Sequence, residues 1–249
     1  MSKKIIAVIP ARYASSRFPG KPLADIHGKP MIWWVYQQVI QVKEFDDIIV
    51  ATDDERIKIA GEKYGMKVMM TSEDCRTGTD RAAEVSEKIA ADLYVVIFAD
   101  EPLLKKEDLQ NLIKAMIQSN ADAGMLTTKF KNPVDIVNPT TVKLALNDQN
   151  EVIFISRAPI PFPKASLDYD YFKHVGAYAF TKKALEIHSH SEPGRLEKIE
   201  DVETLRLLEK HLIVKAYEVN SDSLSVDTPK DLERIRKIIG ETLTTTNHA

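Results

Sequence analysis

Ile5-Ile6-Ala7-Val8-Ile9-Pro10-Ala11-Arg12-Tyr13-Ala14-Ser15-Ser16-Arg17-Phe18-Pro19-Gly20-Lys21-Pro22-Leu23 is the stretch that decides the fold. Ile5–Ile9 is apolar without interruption, the pattern of a strand buried on both faces. The run stops at Pro10 and gives way to small residues, prolines and the cations Arg12, Arg17 and Lys21. Small residues and Gly20 let a backbone approach a ligand closely. Backbone N–H groups and cations together are what a polyphosphate needs. The stretch is not a Walker loop, which sets Lys-Ser/Thr after glycine at a helix start, and it lacks the G-x-G-x-x-G dinucleotide fingerprint. Composition alone would equally allow a solvated surface loop, so the rest of the chain must decide.

Outward from this stretch, short apolar runs alternate with helical patterns. Strands are expected at Ile48–Thr52, Val68–Thr71 and Leu93–Ala99, and helices at Pro30–Val42, Asp54–Tyr64, Thr79–Ala90 and Lys105–Ser119. Continuous apolar strands separated by helices make a parallel sheet covered on both faces. The expected fold is therefore α/β, a doubly wound, mostly parallel sheet that binds ligands at the carboxyl ends of its strands. The second half is less regular. Met125–Lys129, Thr141–Leu146, Val152–Ile155 and Val175–Phe180 read as strands of a small antiparallel extension. Leu196–Lys210 reads as one helix, Ile213–Val219 as a strand, and Pro229–Ile239 as a helix capped by Thr228. A single domain over residues 1–241 is expected, with 125–180 contributing a substrate or dimerisation subdomain and 242–249 a flexible polar tail.

The bulk composition narrows the function classes. The 249 residues carry a formal net charge of −3, with 44% hydrophobic and 29% charged residues. Nothing in that balance repays the field of a nucleic acid, so an anionic ligand must meet a local cluster of cations. Cys75 is the only cysteine, so no intrachain disulfide can form and a reducing cytoplasm is expected. No apolar run approaches the ~20 residues of a membrane span, and a soluble chain with no membrane partner is expected.

Two aspartates stand where such a sheet would bind a ligand. Asp100 ends the Leu93–Ala99 strand, followed by Glu101 and Pro102, and Asp227 ends Leu224-Ser225-Val226 just before the last helix. Magnesium takes a few carboxylate oxygens together with phosphate oxygens and water. Each aspartate alone could be a turn or helix-entry residue; with the cationic first loop they form a candidate metal pair. His188 and His190 lack a partner set for zinc. Trp33 and Trp34 fit core packing better than base stacking.

The residues Ile9–Leu23 closely resemble the first loop of the 3-deoxy-manno-octulosonate (Kdo) cytidylyltransferases, or CMP-Kdo synthetases. Further matches keep the family's order: Gly28–Ile32, Ala51–Asp53, Thr77–Arg81, Asp100–Pro102, Ser156–Pro161, Lys173–Tyr178, Leu196-Glu197 through Leu205-Arg206, and Val226–Pro229. The resemblance spans roughly residues 4–239, and sialic-acid cytidylyltransferases fit less well after the first arginine. It implies transfer of CMP from CTP to Kdo, for lipopolysaccharide biosynthesis, by a magnesium-dependent homodimer. It implies nucleotide binding by Pro10, Ala11, Arg12, Arg17, Lys21, Thr77, Gly78, Thr79 and Arg81, with Arg12, Lys21 and Asp100 catalytic. Asp100 and Asp227 would hold the metal. Arg157, His174, Tyr178, Glu200 and Glu203 would line the sugar site, Arg157 being suited to a carboxylate.

Two departures bear on the sugar. Phe98-Ala99 stands where the family carries Gln-Gly, and Glu203-Thr204 where it carries Glu-Gln. Both lose an amide that could orient hydroxyls. A related ulosonic acid such as the 8-amino analogue of Kdo is therefore an alternative acceptor, and a nucleotide binder without turnover is another reading.

Overall fold

The computed structural model describes residues 3–14, 18–166, 168–221 and 224–246. One large sheet runs through it in the order β11-β7-β10-β6-β1-β4-β5. Its first-half strands are β1 (Ile5–Pro10), β4 (Asp47–Thr52), β5 (Val68–Met70) and β6 (Leu93–Ile97), all parallel neighbours. β2 (Asp25–Ile26) and β3 (Lys29–Pro30) form a separate small hairpin. From β1 the chain builds outward through β4 to β5, then crosses to β6 on the other side of β1. The β1–β6 boundary is therefore the point where strand order reverses, and a crevice opens above it.

Alternation along β1 supplies both faces of the core. Ile5, Ala7 and Ile9 face α1 (Met31–Val39), α2 (Glu55–Lys63) and α4 (Lys106–Gln118). Ile6 and Val8 face α3 (Gly78–Lys88), α5 (Lys182–Ser189) and α7 (Leu205–Glu209). A third cluster, Ile26, Met31, Val226, Leu232, Ile235 and Ile239, seats α8 (Pro229–Thr246) against the β2–β3 hairpin. That packing brings Asp227, at the foot of α8, next to the crevice.

In the second half, β10 (Phe172–Thr181) lies antiparallel between β6 and β7 (Ala123–Lys129), and β11 (Val214–Glu218) is parallel to β7. β8 (Lys143–Leu146) and β9 (Val152–Ser156) form a hairpin on the beginning of β10, the expected antiparallel extension. β10 is bulged between His174 and Tyr178, where Gly176 adopts φ 59° against Leu104.

Three sequence expectations change. The helix expected over Leu196–Lys210 is two, α6 (Arg195–Glu200) and α7, because Asp201 turns left-handed at φ 53°. α5 was not expected at all. The last helix continues to Thr246, so the chain from 242 to 246 is helical rather than a loose tail. Among the described residues no helix is long and apolar enough to cross a membrane.

Candidate active site

The crevice at the carboxyl edge of β1 and β6 is a cleft of about 490 Å³. Its floor comes from Pro10, Ala11 and Arg12 after β1 and from Phe98, Ala99 and Asp100 after β6. Gly20, left-handed at φ 72°, turns the first loop back into a short 3-10 turn over Lys21–Leu23. This puts the Lys21 ammonium in contact with Asp100 and 3.6 Å from Asp227 Oδ1. Val226 N–H donates to the Asp100 carbonyl at 2.9 Å, which locks the two aspartate-bearing segments side by side. One cation thus sits between two carboxylates delivered from different parts of the fold. Those oxygen donors suit a hard divalent ion, and the ammonium already shows that the site favours positive charge. Among the described residues no group of three or more His, Cys, Asp or Glu forms a metal cage.

Opposite this pair lies the start of α3. Thr77 caps it: the Thr77 hydroxyl accepts from Asp80 N–H at 3.1 Å, and Asp80 Oδ2 accepts from the N–H groups of Arg76 and Thr77 at 3.0 Å each. A Cβ on Gly78 would stand 3.1 Å from Pro10 Cγ and 3.5 Å from Phe98, so glycine allows this turn to pack directly on the floor. Behind it Asp80 Oδ1 meets His188 Nε2 at 2.8 Å, and Arg206 holds Glu197 through two hydrogen bonds. Burial alone would raise the Asp80 pKa. The His188 hydrogen bond and charge, with the Thr77 groups, outweigh it and bring the carboxyl to about 2.

The expected site residues divide into groups. Pro10, Ala11, Arg12, Lys21, Thr77, Gly78, Arg81, Asp100, Arg157, Tyr178, Glu203 and Asp227 all line the cleft. Arg17 lies outside the described residues. Thr79 is buried and is not in the lining. Arg81 is committed to Asp53 at 2.8 Å and to Thr71 at 2.7 Å, bracing the base of α3. Arg157 gives its donors to the carbonyls of Pro139, Glu200 and Asp201 at 2.8–3.0 Å. In this state it clasps the rim rather than offering an open fork to a carboxylate. Glu200 is likewise a support: it accepts from Ser156 Oγ at 2.7 Å and from Arg157 N–H at 2.9 Å, and it is not in the lining. The helix ends at Asp201, so Glu203 does not share the helical face of Glu197 and Glu200, which are both in α6.

His174 stands behind the wall. Its ring stacks on Tyr178 at 4.1 Å, and Phe98 meets both edge-on at 5.8 and 5.7 Å. Burial pushes the imidazole down to about 4, against a smaller opposing pull from the Ala177 carbonyl. Glu203 presents a buried oxygen that has no hydrogen-bond partner among the described residues. Cys75 also reaches the lining, but burial pushes its thiol up to about 11, which disqualifies it as a nucleophile at neutral pH. Sequence reasoning missed Arg76, Thr140 and Val142, all in the lining. The available signal for Arg76 was a cation directly before the Thr77-Gly78 turn.

The cytidylyltransferase family model matches residues 6–239. The chain is 39% identical to 3-deoxy-manno-octulosonate cytidylyltransferase of Escherichia coli, over 98% of each protein. It is 41% identical to 8-amino-3,8-dideoxy-manno-octulosonate cytidylyltransferase of a Shewanella species, over 92% of this chain and 96% of that one. Among solved structures, CMP:2-keto-3-deoxy-manno-octonic acid synthetase complexed with CTP superposes with a TM-score of 0.91 at 38% identity, covering 96% of this chain and 99% of the other. Enzymes of this type generally use a divalent metal ion. The chain therefore belongs to the cytidylyltransferase family, in the group formed by the 3-deoxy-manno-octulosonate cytidylyltransferases and their 8-amino relatives.

Proposed function

We propose that the chain transfers CMP from CTP to the anomeric hydroxyl of Kdo, releasing pyrophosphate. The observation that carries this reading is the Lys21 ammonium held between Asp100 and Asp227, facing the Thr77-Gly78 turn across one cleft. The turn offers backbone groups that can read a pyrimidine edge. Arg12 and Lys21 neutralise charge developing on the α-phosphate and the leaving pyrophosphate. Tyr178, Phe98 and Glu203 form the wall against which the sugar is oriented, and Arg157 and Glu200 keep that wall in place. The reaction needs positioning and charge stabilisation, with no protein nucleophile. Asp100 and Asp227 are the residues that would hold magnesium, which when bound supplies Lewis-acid polarisation of the phosphoryl group and acidifies the attacking hydroxyl.

A second acceptor is favoured by one observation. Glu203 lines the cleft and one of its carboxylate oxygens is buried without a partner among the described residues; a carboxylate there suits an ammonium as well as a hydroxyl. The 8-amino analogue is therefore the alternative substrate. We also propose a homodimer formed through residues 125–180, a region that exposes Val134, Val137, Ile153 and Phe162; a monomeric mass in solution would overturn that. The reaction itself is tested by pyrophosphate release from CTP and magnesium with Kdo and its 8-amino analogue side by side. Release with Kdo supports the main reading, and release only with the analogue moves the substrate. CTP binding without release from either would leave a nucleotide binder.

A further inference from the structure

Five cations line the cleft, Arg12, Lys21, Arg76, Arg81 and Arg157, and a triphosphate with an acidic sugar would present it with several negative charges. Three of the five are already committed. Lys21 stands between Asp100 and Asp227. Arg81 is bound to Asp53, Thr71 and Ser72. Arg157 is bound to three backbone carbonyls. Among the described residues Arg12 makes one long contact, from its NH1 to the Arg76 carbonyl at 3.5 Å. The Arg76 guanidinium has no hydrogen bond or ion pair among the described residues, and its side chain is exposed.

The geometry points to Arg76 as an anion-binding residue of this cleft, acting with Arg12 on a substrate phosphate or carboxylate. Its backbone is fixed for the task. The N–H groups of Arg76 and Thr77 share Asp80 Oδ2, and Asp80 is anchored from behind by the buried His188. The Arg76 backbone is therefore held by the same buried clasp that holds the Thr77-Gly78 turn. Two further features favour an anion there. Arg76 stands directly before Thr77, the N-cap of the eleven-residue α3, whose N-terminal N–H groups add positive potential. The Arg12 guanidinium also reaches the Arg76 backbone carbonyl, which places a second cation of the cleft lining beside this residue. A second, acidic hollow on the other side of Arg76 contains Asp74, Glu84, Glu87 and Glu192. The guanidinium pairs with none of them.

This inference rests on the CTP-dependent reading of the cleft, and the test separates the two. Full-length wild type, Arg76→Gln and Arg76→Lys are compared for kcat and for the KM of CTP and of the acceptor, with Kdo and its 8-amino analogue, at low and high salt. Binding isotherms for CTP alone and for each sugar alone are taken in parallel. Arg76→Gln is expected to raise one KM about tenfold, the scale of one charge-assisted contact, with an unchanged melting temperature. Arg76→Lys should recover part of the loss, and high salt should shrink the difference. A rise confined to CTP assigns Arg76 to the triphosphate; a rise confined to the sugar assigns it to the carboxylate. Unchanged KM values and unchanged isotherms for all ligands would overturn the inference, even where turnover is normal. Absent turnover in the wild type would instead count against the proposed reaction, and the isotherms would still decide the role of Arg76.

Discussion

Lys21 has two carboxylates within reach and, among the described residues, no competing partner to draw it away. A lysine so placed lowers the repulsion between Asp100 and Asp227 and keeps both pointed at one spot. In the proposed reaction its charge would face the leaving group as that group gains charge. Removing such a preorganised group typically costs 10²–10³ in kcat. Lys21→Ala is expected to show that loss in steady-state turnover, with a smaller change in the KM for the sugar than in kcat; an unchanged kcat would remove Lys21 from the catalytic machinery. This residue was legible in the sequence because the cations of the first loop are close neighbours in the chain. Arg157 was not. Its type suggested a carboxylate ligand, but its partners are the carbonyls of Pro139, Glu200 and Asp201, far apart in sequence. Nothing local announces that a guanidinium will be used as a clasp.

At the scale of elements, α3 sets the side of the cleft opposite the aspartate pair. The Thr77–Asp80 capping box ends two unpaired N–H groups and fixes the turn that packs on Pro10. Thr77→Ala should cost about 1 kcal/mol of stability, the usual worth of an N-cap, and should raise the KM for CTP; thermal melts and kinetics on one preparation check both. Gly78→Ala separates the effects. Its Cβ would press on Pro10 and Phe98, so CTP affinity should fall with little loss of helix stability. The strands around this turn were legible because buried parallel strands are continuous apolar runs. The break between α6 and α7 was not, because it turns on a single backbone conformation at Asp201 within an otherwise helical pattern. That break separates α6, whose Glu197 holds Arg206 and whose Glu200 holds Arg157, from Glu203 and α7. Arg206→Met tests the buried pair. It leaves Glu197 charged and without its partner, so a loss of about 3–5 kcal/mol is expected in denaturant unfolding.

At the scale of the whole molecule, two groups behind the cleft, His174 and Asp80, tie stability to pH. Burial holds His174 neutral, with a folded-state pKa of about 4 against 6.5 for the free side chain. The unfolded chain therefore binds more protons than the folded one between those values, and stability must rise with pH across that window. On acidification the contribution of neutral His174 begins to disappear near pH 6.5 and continues to fall towards pH 4. Asp80 acts lower on the scale. Its folded pKa of about 2 lies below the ordinary 3.8, so its contribution is complete above the unfolded value and is lost as pH falls through the folded one. The two losses add in the same direction but in separate windows, which makes them separable by substitution. His174→Phe keeps a ring for Tyr178 and Phe98 to pack on and removes the titration. Its unfolding free energy should be flatter than wild type between pH 6.5 and 4 and should run parallel to wild type below that. Asp80→Asn should do the reverse, with a stability loss at neutral pH that shrinks between about pH 4 and 2. A slope between pH 6.5 and 4 that survives His174→Phe would mean another group carries the acid sensitivity. The stacked trio of Phe98, His174 and Tyr178 would then be passive packing behind the sugar wall.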